Sequence, residues 1–186
     1  MLSGCRGALI AFSGGVDSAF LLYKAAAALG RNNILAVTAV SPIRTASEIK
    51  AAGELAAALG IPHRLIHTAE LSSPLFLENG PDRCYHCKKT LFASLAAIAA
   101  KESRNCILDG SNYDDLADYR PGAAAACEFG VRSPLQEAAL AKKEIRTVPV
   151  MGQIFDVAGM VFIDRGDSAK AREQLEPAVH KLREEG

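Results

Sequence analysis

The apolar run Ala8-Leu9-Ile10-Ala11 leads directly into Phe12-Ser13-Gly14-Gly15-Val16-Asp17-Ser18, and an Ala- and Leu-rich stretch follows from Ala19 to Leu29. A short apolar run, a Ser/Gly-rich turn and a helical stretch make a strand–loop–helix unit. The N–H groups of such a loop point outward and the helix adds the positive end of its dipole, so the turn is an anion cradle. Gly14 and Gly15 carry no Cβ and let the backbone approach a phosphate closely. Ser13 and Ser18 add hydroxyl donors. Asp17 is the odd member, because a carboxylate repels a phosphate unless a divalent cation or an N–H group engages it. The loop does not match G-x-x-x-x-G-K-[ST], which separates it from a Walker loop.

The remaining chain continues the alternation. Residues 8–12 read as a first strand and 18–29 as a helix closing at Gly30. Residues 34–40 form a second, β-branched strand, 47–59 a helix stopped by Gly60 and Pro62, and 63–67 a third strand. A loop opens at Pro81, a helix covers 87–100, and 106–109 is a short fourth strand. This order predicts an α/β fold, a Rossmann-like parallel sheet with helices on both faces. Ligands in that architecture sit at the carboxyl ends of the strands. The 12–18 loop, residues 38–41 and residues 109–112 are therefore expected to reach one crevice.

Lys plus Arg number 21 and Asp plus Glu number 21, so the 186-residue chain has no net charge. That argues against a nucleic-acid partner, which needs a basic face. No stretch approaches the roughly 20 apolar residues of a membrane span, and no leader pattern opens the chain. The expectation is a cytoplasmic protein without a membrane partner. The cysteines are Cys5, Cys84, Cys87, Cys106 and Cys127, an odd count that reads as reduced thiols rather than a disulfide framework.

Two further segments carry chemistry. Arg83-Cys84-Tyr85-His86-Cys87-Lys88 holds a C-x-x-C near a helix start, where the helix dipole and the basic Arg83, Lys88 and Lys89 favour thiolates. A zinc site needs two more ligands, an iron–sulfur site at least one more thiolate, and a redox dithiol needs none; two structural thiols are the plain alternative. His86 reads as a local capping or phosphate-side group. Leu108-Asp109-Gly110-Ser111-Asn112-Tyr113-Asp114-Asp115, then Asp118-Tyr119-Arg120-Pro121-Gly122, forms a polar turn after the fourth strand. Its acids suit a water-bridged Mg2+ or the orientation of Arg120, whose guanidinium can grip a phosphate or carboxylate with two donors. Basic residues farther on, including Arg132, Lys142, Lys143 and Arg146, read mainly as surface charge.

SGGVDS resembles the pyrophosphate loop of the N-type ATP pyrophosphatases, the PP-loop or adenine nucleotide alpha hydrolase-like superfamily. Together with Ala39-Val40-Ser41-Pro42, RCYHCK, DGSNYDDLADYRPG and GVRSPLQEAALAKKEIR, in this order, it resembles the ATP-dependent sacrificial sulfur transferases (the LarE family) over about residues 5–146. The resemblance implies a two-stage reaction in nickel-pincer cofactor biosynthesis. ATP adenylates a carboxylate of a pyridinium biscarboxylate mononucleotide and releases pyrophosphate; a protein sulfur then attacks the acyl adenylate. Matched residue by residue, Ser13, Gly14, Gly15, Val16, Asp17 and Ser18 would bind the ATP phosphates, with Asp17 acting through Mg2+. Ala39 and Ser41 would lie near the adenosine, and Gly110, Ser111 and Asn112 on the nucleotide side. Asp115 and Arg120 would face phosphate or substrate, and Asp17 and Arg120 would serve catalysis. Some members consume a cysteine as the sulfur source, whereas others carry a sulfide on a three-cysteine [4Fe–4S] cluster. Cys84 and Cys87 resemble the second kind. The implied ligands are ATP, Mg2+, a [4Fe–4S] cluster and a small-molecule nucleotide substrate, in a homo-oligomer.

The resemblance changes near residues 142–146. The chain has no Trp and no Cys-Leu-Ala-Ser-Arg motif, where the family carries its later cysteine. From Val148-Pro149-Val150 through Ala158-Gly159-Met160-Val161-Phe162-Ile163-Asp164-Arg165 to Lys170 it is similar to an internal segment of the 1-acylglycerol-3-phosphate acyltransferases, without their H-x4-D. Residues 1–146 thus read as a PP-loop domain and 147–186 as an atypical tail, with a strand over 160–163 and a helix over 168–183. Two other readings stand beside sulfur transfer. One is amide synthesis of the NAD or GMP synthetase kind; the other is a nucleotide- or metal-binding remnant lacking the sulfur-donor cysteine.

Overall fold

Four parallel strands, β1 (Ala8–Ala11), β2 (Ile34–Val40), β3 (His63–His67) and β4 (Cys106–Leu108), form one sheet in the order β3-β2-β1-β4. The structure is a computed structural model and describes residues 2–41, 44–68, 80 and 82–148. Ala8 pairs with Ile34 on one side and Cys106 on the other, so β1 lies inside the sheet. A single parallel bridge from Leu108 to Arg132 extends the far edge.

Period-two alternation decides which helix covers which face. Ala8, Ile10, Ile34, Ala36 and Leu108 turn to one side and pack with Phe20 and Leu22 of helix α1 (Val16–Leu29) and Leu55 of α2 (Ala46–Ala58). Leu9, Leu35, Val37 and Ile107 turn to the other, against Phe92 and Leu95 of α3 (Arg83–Lys101) and Ala125 of α4 (Gly122–Glu128). Each large side chain buried this way contributes about 1.5–3 kcal/mol. Two short helices, α5 (Pro134–Glu137) and α6 (Lys142–Arg146), complete the first layer through Leu135 and Ile145. The expected parallel sheet with helices on both faces is what the chain forms.

Boundaries shift for identifiable reasons. Phe12 leaves the strand, although its N–H still donates to the Val37 carbonyl at 2.8 Å. Helix α2 begins at Ala46 because Thr45 and Glu48 make a reciprocal capping box, with the Thr45 N–H donating to Glu48 Oε2 at 2.9 Å. Helix α3 starts at Arg83, four residues before its expected start, so the whole C-x-x-C is helical.

The expectation of five reduced cysteines is corrected. Cys5 and Cys106 form a disulfide with their Cα atoms 5.7 Å apart. Cys106 opens β4 and faces Ala8 of β1, and a turn closed by the Cys5 N–H on the Leu2 carbonyl brings Cys5 back beside it. An odd count argues against a framework of bridges, but not against one pair made by neighbouring strands. The strand and helix expected over 160–163 and 168–183 lie outside the described residues.

Candidate functional site

The carboxyl ends of β1, β2 and β4 open on a cavity of about 680 Å³. Its floor is the 13–18 loop. Gly15 precedes α1 in extended conformation and supplies no capping side chain, so the N–H groups of the first helical turn face outward without a side-chain acceptor. The loop is knitted by its own hydroxyls: Ser13 Oγ accepts from the Gly15 N–H at 3.2 Å and lies 3.0 Å from Ser18 Oγ, which donates to the Gly15 carbonyl at 2.9 Å.

Gly14 and Gly15 serve different needs. Gly14 has φ +79°, and a Cβ there would meet the Ala52 Cβ at 3.0 Å. It seats the loop on α2 and does not line the cavity. Gly15 does line it, as do Ser13, Val16, Asp17 and Ser18.

Asp17 sits in the first turn of α1. Its Oδ2 accepts from Asn112 Nδ2 at 3.1 Å and lies 4.0 Å from Lys142 Nζ. Its Oδ1 is buried with no hydrogen-bond partner. Burial pushes its carboxyl above the usual range, with the Asp115 and Asp114 charges adding to the rise; Lys142 and Asn112 oppose it. An acid held this way favours a neutralising cation.

The polar turn after β4 forms the opposite wall. Asp109 is buried and accepts from Ser111 Oγ at 2.8 Å and Ser133 Oγ at 2.6 Å. Asn112 closes the next turn, its side-chain oxygen accepting from the Asp114 N–H and its own N–H donating to Asp115, each at 3.0 Å. Asp115 in turn holds Arg120 at 2.7 Å. Gly110, Ser111, Asn112, Asp115 and Arg120 all line the cavity, with Ala39 and Ser41 from the end of β2.

Three cavity cations were given no place in the site by the sequence. Arg44 lines the cavity and donates from Nη1 to the Ser13 carbonyl at 3.2 Å. Its one sequence signal is a basic residue just past a strand's carboxyl end. Lys142, read as surface charge, reaches Asp17 because the chain folds back through the Tyr113 N–H to Leu140 carbonyl bond and the Lys142 N–H to Asp114 bond, each 2.9 Å. Lys88, read as a flank of the thiols, is a cavity cation 4.0 Å from Asp109.

The C-x-x-C is divided. Cys87 lines this cavity, whereas Cys84 and Cys127 line an adjoining one. Among the described residues no three His, Cys, Asp or Glu side chains gather to hold a metal, so the expected three-thiolate set is not assembled. Residues three apart on a helix differ by about 60° around the axis; the two thiols open on adjoining cavities, and Cys127 on α4 lines that of Cys84. His86 packs edge-on against Tyr85, with ring centroids 5.2 Å apart, and lines neither cavity.

Residues 2–83 match the family model of NAD synthase, and residues 123–186 match that of the acyltransferases. The second match begins ahead of the expected change near 142–146. Over 139 residues the chain is 40% identical to the pyridinium-3,5-bisthiocarboxylic acid mononucleotide synthase of Lactiplantibacillus plantarum, covering 75% of this chain and 50% of that one. It is 45% identical over 141 residues to an uncharacterized protein of Synechocystis, covering 76% and 52%. The chain thus spans about half the length of these curated relatives. Two solved structures share the fold. A glutamine-dependent NAD(+) synthetase from Cytophaga hutchinsonii superposes with a TM-score of 0.63 at 12% identity, over 86% of this chain and 37% of that one. The U34-tRNA thiolase NcsA from Methanococcus maripaludis, solved with its [4Fe-4S] cluster, gives 0.58 at 16% identity, over 99% and 68%.

Proposed function

We propose that the chain binds ATP in the 13–18 loop, transfers AMP to a carboxylate of a pyridinium mononucleotide with release of pyrophosphate, and so activates it for sulfur delivery. The observation that carries the reading is the meeting of the first-turn N–H groups of α1 with Asp17 and the 109–112 turn in one cavity, in a chain 40% identical to a synthase of a pyridinium bisthiocarboxylate nucleotide. Ser13, Gly15, Val16 and Ser18 hold the phosphates, Ala39 and Ser41 flank the adenosine, and Gly110, Ser111 and Asn112 close on it. Arg44 and Lys142 supply positive charge where the departing pyrophosphate develops negative charge.

Mg2+ fits here on one ground: the buried, partnerless Oδ1 of Asp17. Bound there, with Asp114 and Asp115 nearby through water, the ion would stabilise the departing pyrophosphate. A [4Fe–4S] cluster does not fit the described thiols. Residues 1–146 form the adenylating unit in this reading, and 147–186 a tail outside it. The protein acts in the cytoplasm as a homo-oligomer on a small-molecule nucleotide. No helix among the described residues is long and apolar enough to cross a membrane.

The test is incubation with ATP, Mg2+ and pyridinium-3,5-biscarboxylic acid mononucleotide. Pyrophosphate and acyl adenylate are expected in equal amounts, with AMP appearing as water hydrolyses the adenylate, and only with the acceptor present; ATP left intact overturns the reading. The NAD synthase match over 2–83 favours a second reading, amide synthesis. Ammonia-dependent pyrophosphate release with an amide product would select it.

A further inference from the structure

A second cavity of about 770 Å³ lies beside the first. Lys88, Asp109, Ser111, Asp115, Asp118 and Arg120 line both, so these residues form a shared boundary. Beyond it the walls are Cys84 of α3, Leu116, Tyr119, and Ala123 and Cys127 of α4. The two helices are tied there: Tyr85 Oη donates to Glu128 Oε1 at 2.6 Å, which sets side by side the residues that follow the two thiols. Leu116 and Tyr119 are 62% and 79% exposed and line the mouth of this cavity.

Adenylation constrains what this cavity takes. A carboxylate oxygen must attack the α-phosphorus in line, so the acceptor and ATP have to meet at a common boundary. That boundary carries Lys88, 4.0 Å from Asp109, and Arg120, held by Asp115 at 2.7 Å; both cations are about half exposed. They can gather an acceptor carboxylate against the α-phosphate. Tyr119 offers an aromatic face to a cationic ring. Cys84 and Lys88, four residues apart on one face of α3, both line this cavity, whereas Cys87 lines only the first.

We propose that this second cavity is the acceptor subsite, taking a carboxylate-bearing aromatic nucleotide with its carboxylate at Lys88 and Arg120 and with Cys84 and Cys127 on its walls. The C-x-x-C then serves two substrates, Cys84 on the acceptor side and Cys87 on the ATP side. This rests on the adenylation reading for the identity of the acceptor.

The experiment is peptide-resolved alkylation of the full chain by iodoacetamide, with pyridinium-3,5-biscarboxylic acid mononucleotide as the probe and no ATP. At about ten times its Kd the probe is expected to slow Cys84 and Cys127 about tenfold and leave Cys87 unchanged. No slowing at Cys84 and Cys127, or equal slowing at Cys87, overturns the proposal. Ala123→Phe fills the cavity from an exposed position. In the folded variant the protection is expected to vanish and the acceptor KM to rise about tenfold with the ATP KM unchanged. Retained protection also overturns the proposal. Alkylation needs no ATP cleavage, so a wild-type protein that releases no pyrophosphate counts against adenylation, while the protection pattern still decides the subsite.

Discussion

A Cβ on Gly110 would lie 2.9 Å from the backbone nitrogen of Ser18 and 3.0 Å from its Cα. The turn after β4 therefore rests directly on the first turn of α1, backbone against backbone, and neither can yield cheaply. Gly110→Ala is expected to lose about 1–3 kcal/mol of stability and to weaken ATP binding, because the displaced element is the cradle itself. Thermal unfolding and ATP titration of the variant check this; wild-type values in both would refute it.

The two loop glycines should separate in the same assays. Gly14→Ala is expected to cost about 1–2 kcal/mol through its positive φ, on top of the close contact with Ala52. Gly15 has φ −73°, which alanine tolerates. Gly15→Ala should keep its stability and raise the KM for ATP, since its Cβ would enter the space beside Ser13 Oγ.

Asp17 makes a prediction with a sign. Its folded pKa is raised, first by burial. The protonated form is therefore favoured by folding, and that contribution is complete below the unfolded value near 3.8 and lost as pH rises through the folded one. At pH 7 the charged Asp17 is a burden on the ligand-free protein. Asp17→Asn is expected to raise Tm at pH 7, with the gain fading as pH falls toward 3.8, and to abolish pyrophosphate release. Mg2+ with ATP should stabilise the wild type more than the variant. A lower Tm for Asp17→Asn across this range would contradict the assignment.

Arg44 is half-buried, and its bond to the Ser13 carbonyl is exposed. Arg44→Ala is expected to leave Tm nearly unchanged, as exposed contacts usually do, and to raise the ATP KM about tenfold, the loss of one charge-assisted hydrogen bond of ~1.4 kcal/mol. Steady-state kinetics with the acceptor saturating measure it.

The disulfide lies at the amino ends of β1 and β4, away from the cavity edge. Cys106→Ser, or a reductant, is expected to lower stability by about 2–4 kcal/mol without changing acceptor-dependent pyrophosphate release. Unfolding curves with and without dithiothreitol give the answer.

The sequence reading succeeded where the determinants are local. Strands β2 and β3 were placed to the residue, and Ser13 to Ser18 were placed in the turn between strand and helix because these follow one another directly. The capping box of Thr45 and Glu48 is equally local, and it starts α2 at Ala46, one residue ahead of the expected start. What escaped was made by distant segments. Lys142 meets Asp17 only after the chain has folded back beneath Asp114. Cys5 meets Cys106 only because β1 and β4 are neighbours. The split of Cys84 from Cys87 depends on what α4 brings up beside α3, which spacing alone does not specify.

The pairing of Ile10 with Leu108 sets an order of events in synthesis. The cradle loop leaves the ribosome early, but the turn that roofs it follows Leu108. At about 5–20 residues per second the loop waits roughly 5–20 s for its roof. Until then β1 has one partner strand and an open edge, and the long sequence separation of that last pairing makes it a slow step. A nucleotide that needs both walls can bind only the finished sheet. Under the proposed ATP reading, nucleotide would favour the completed sheet by mass action, and binding itself would report that folding is finished.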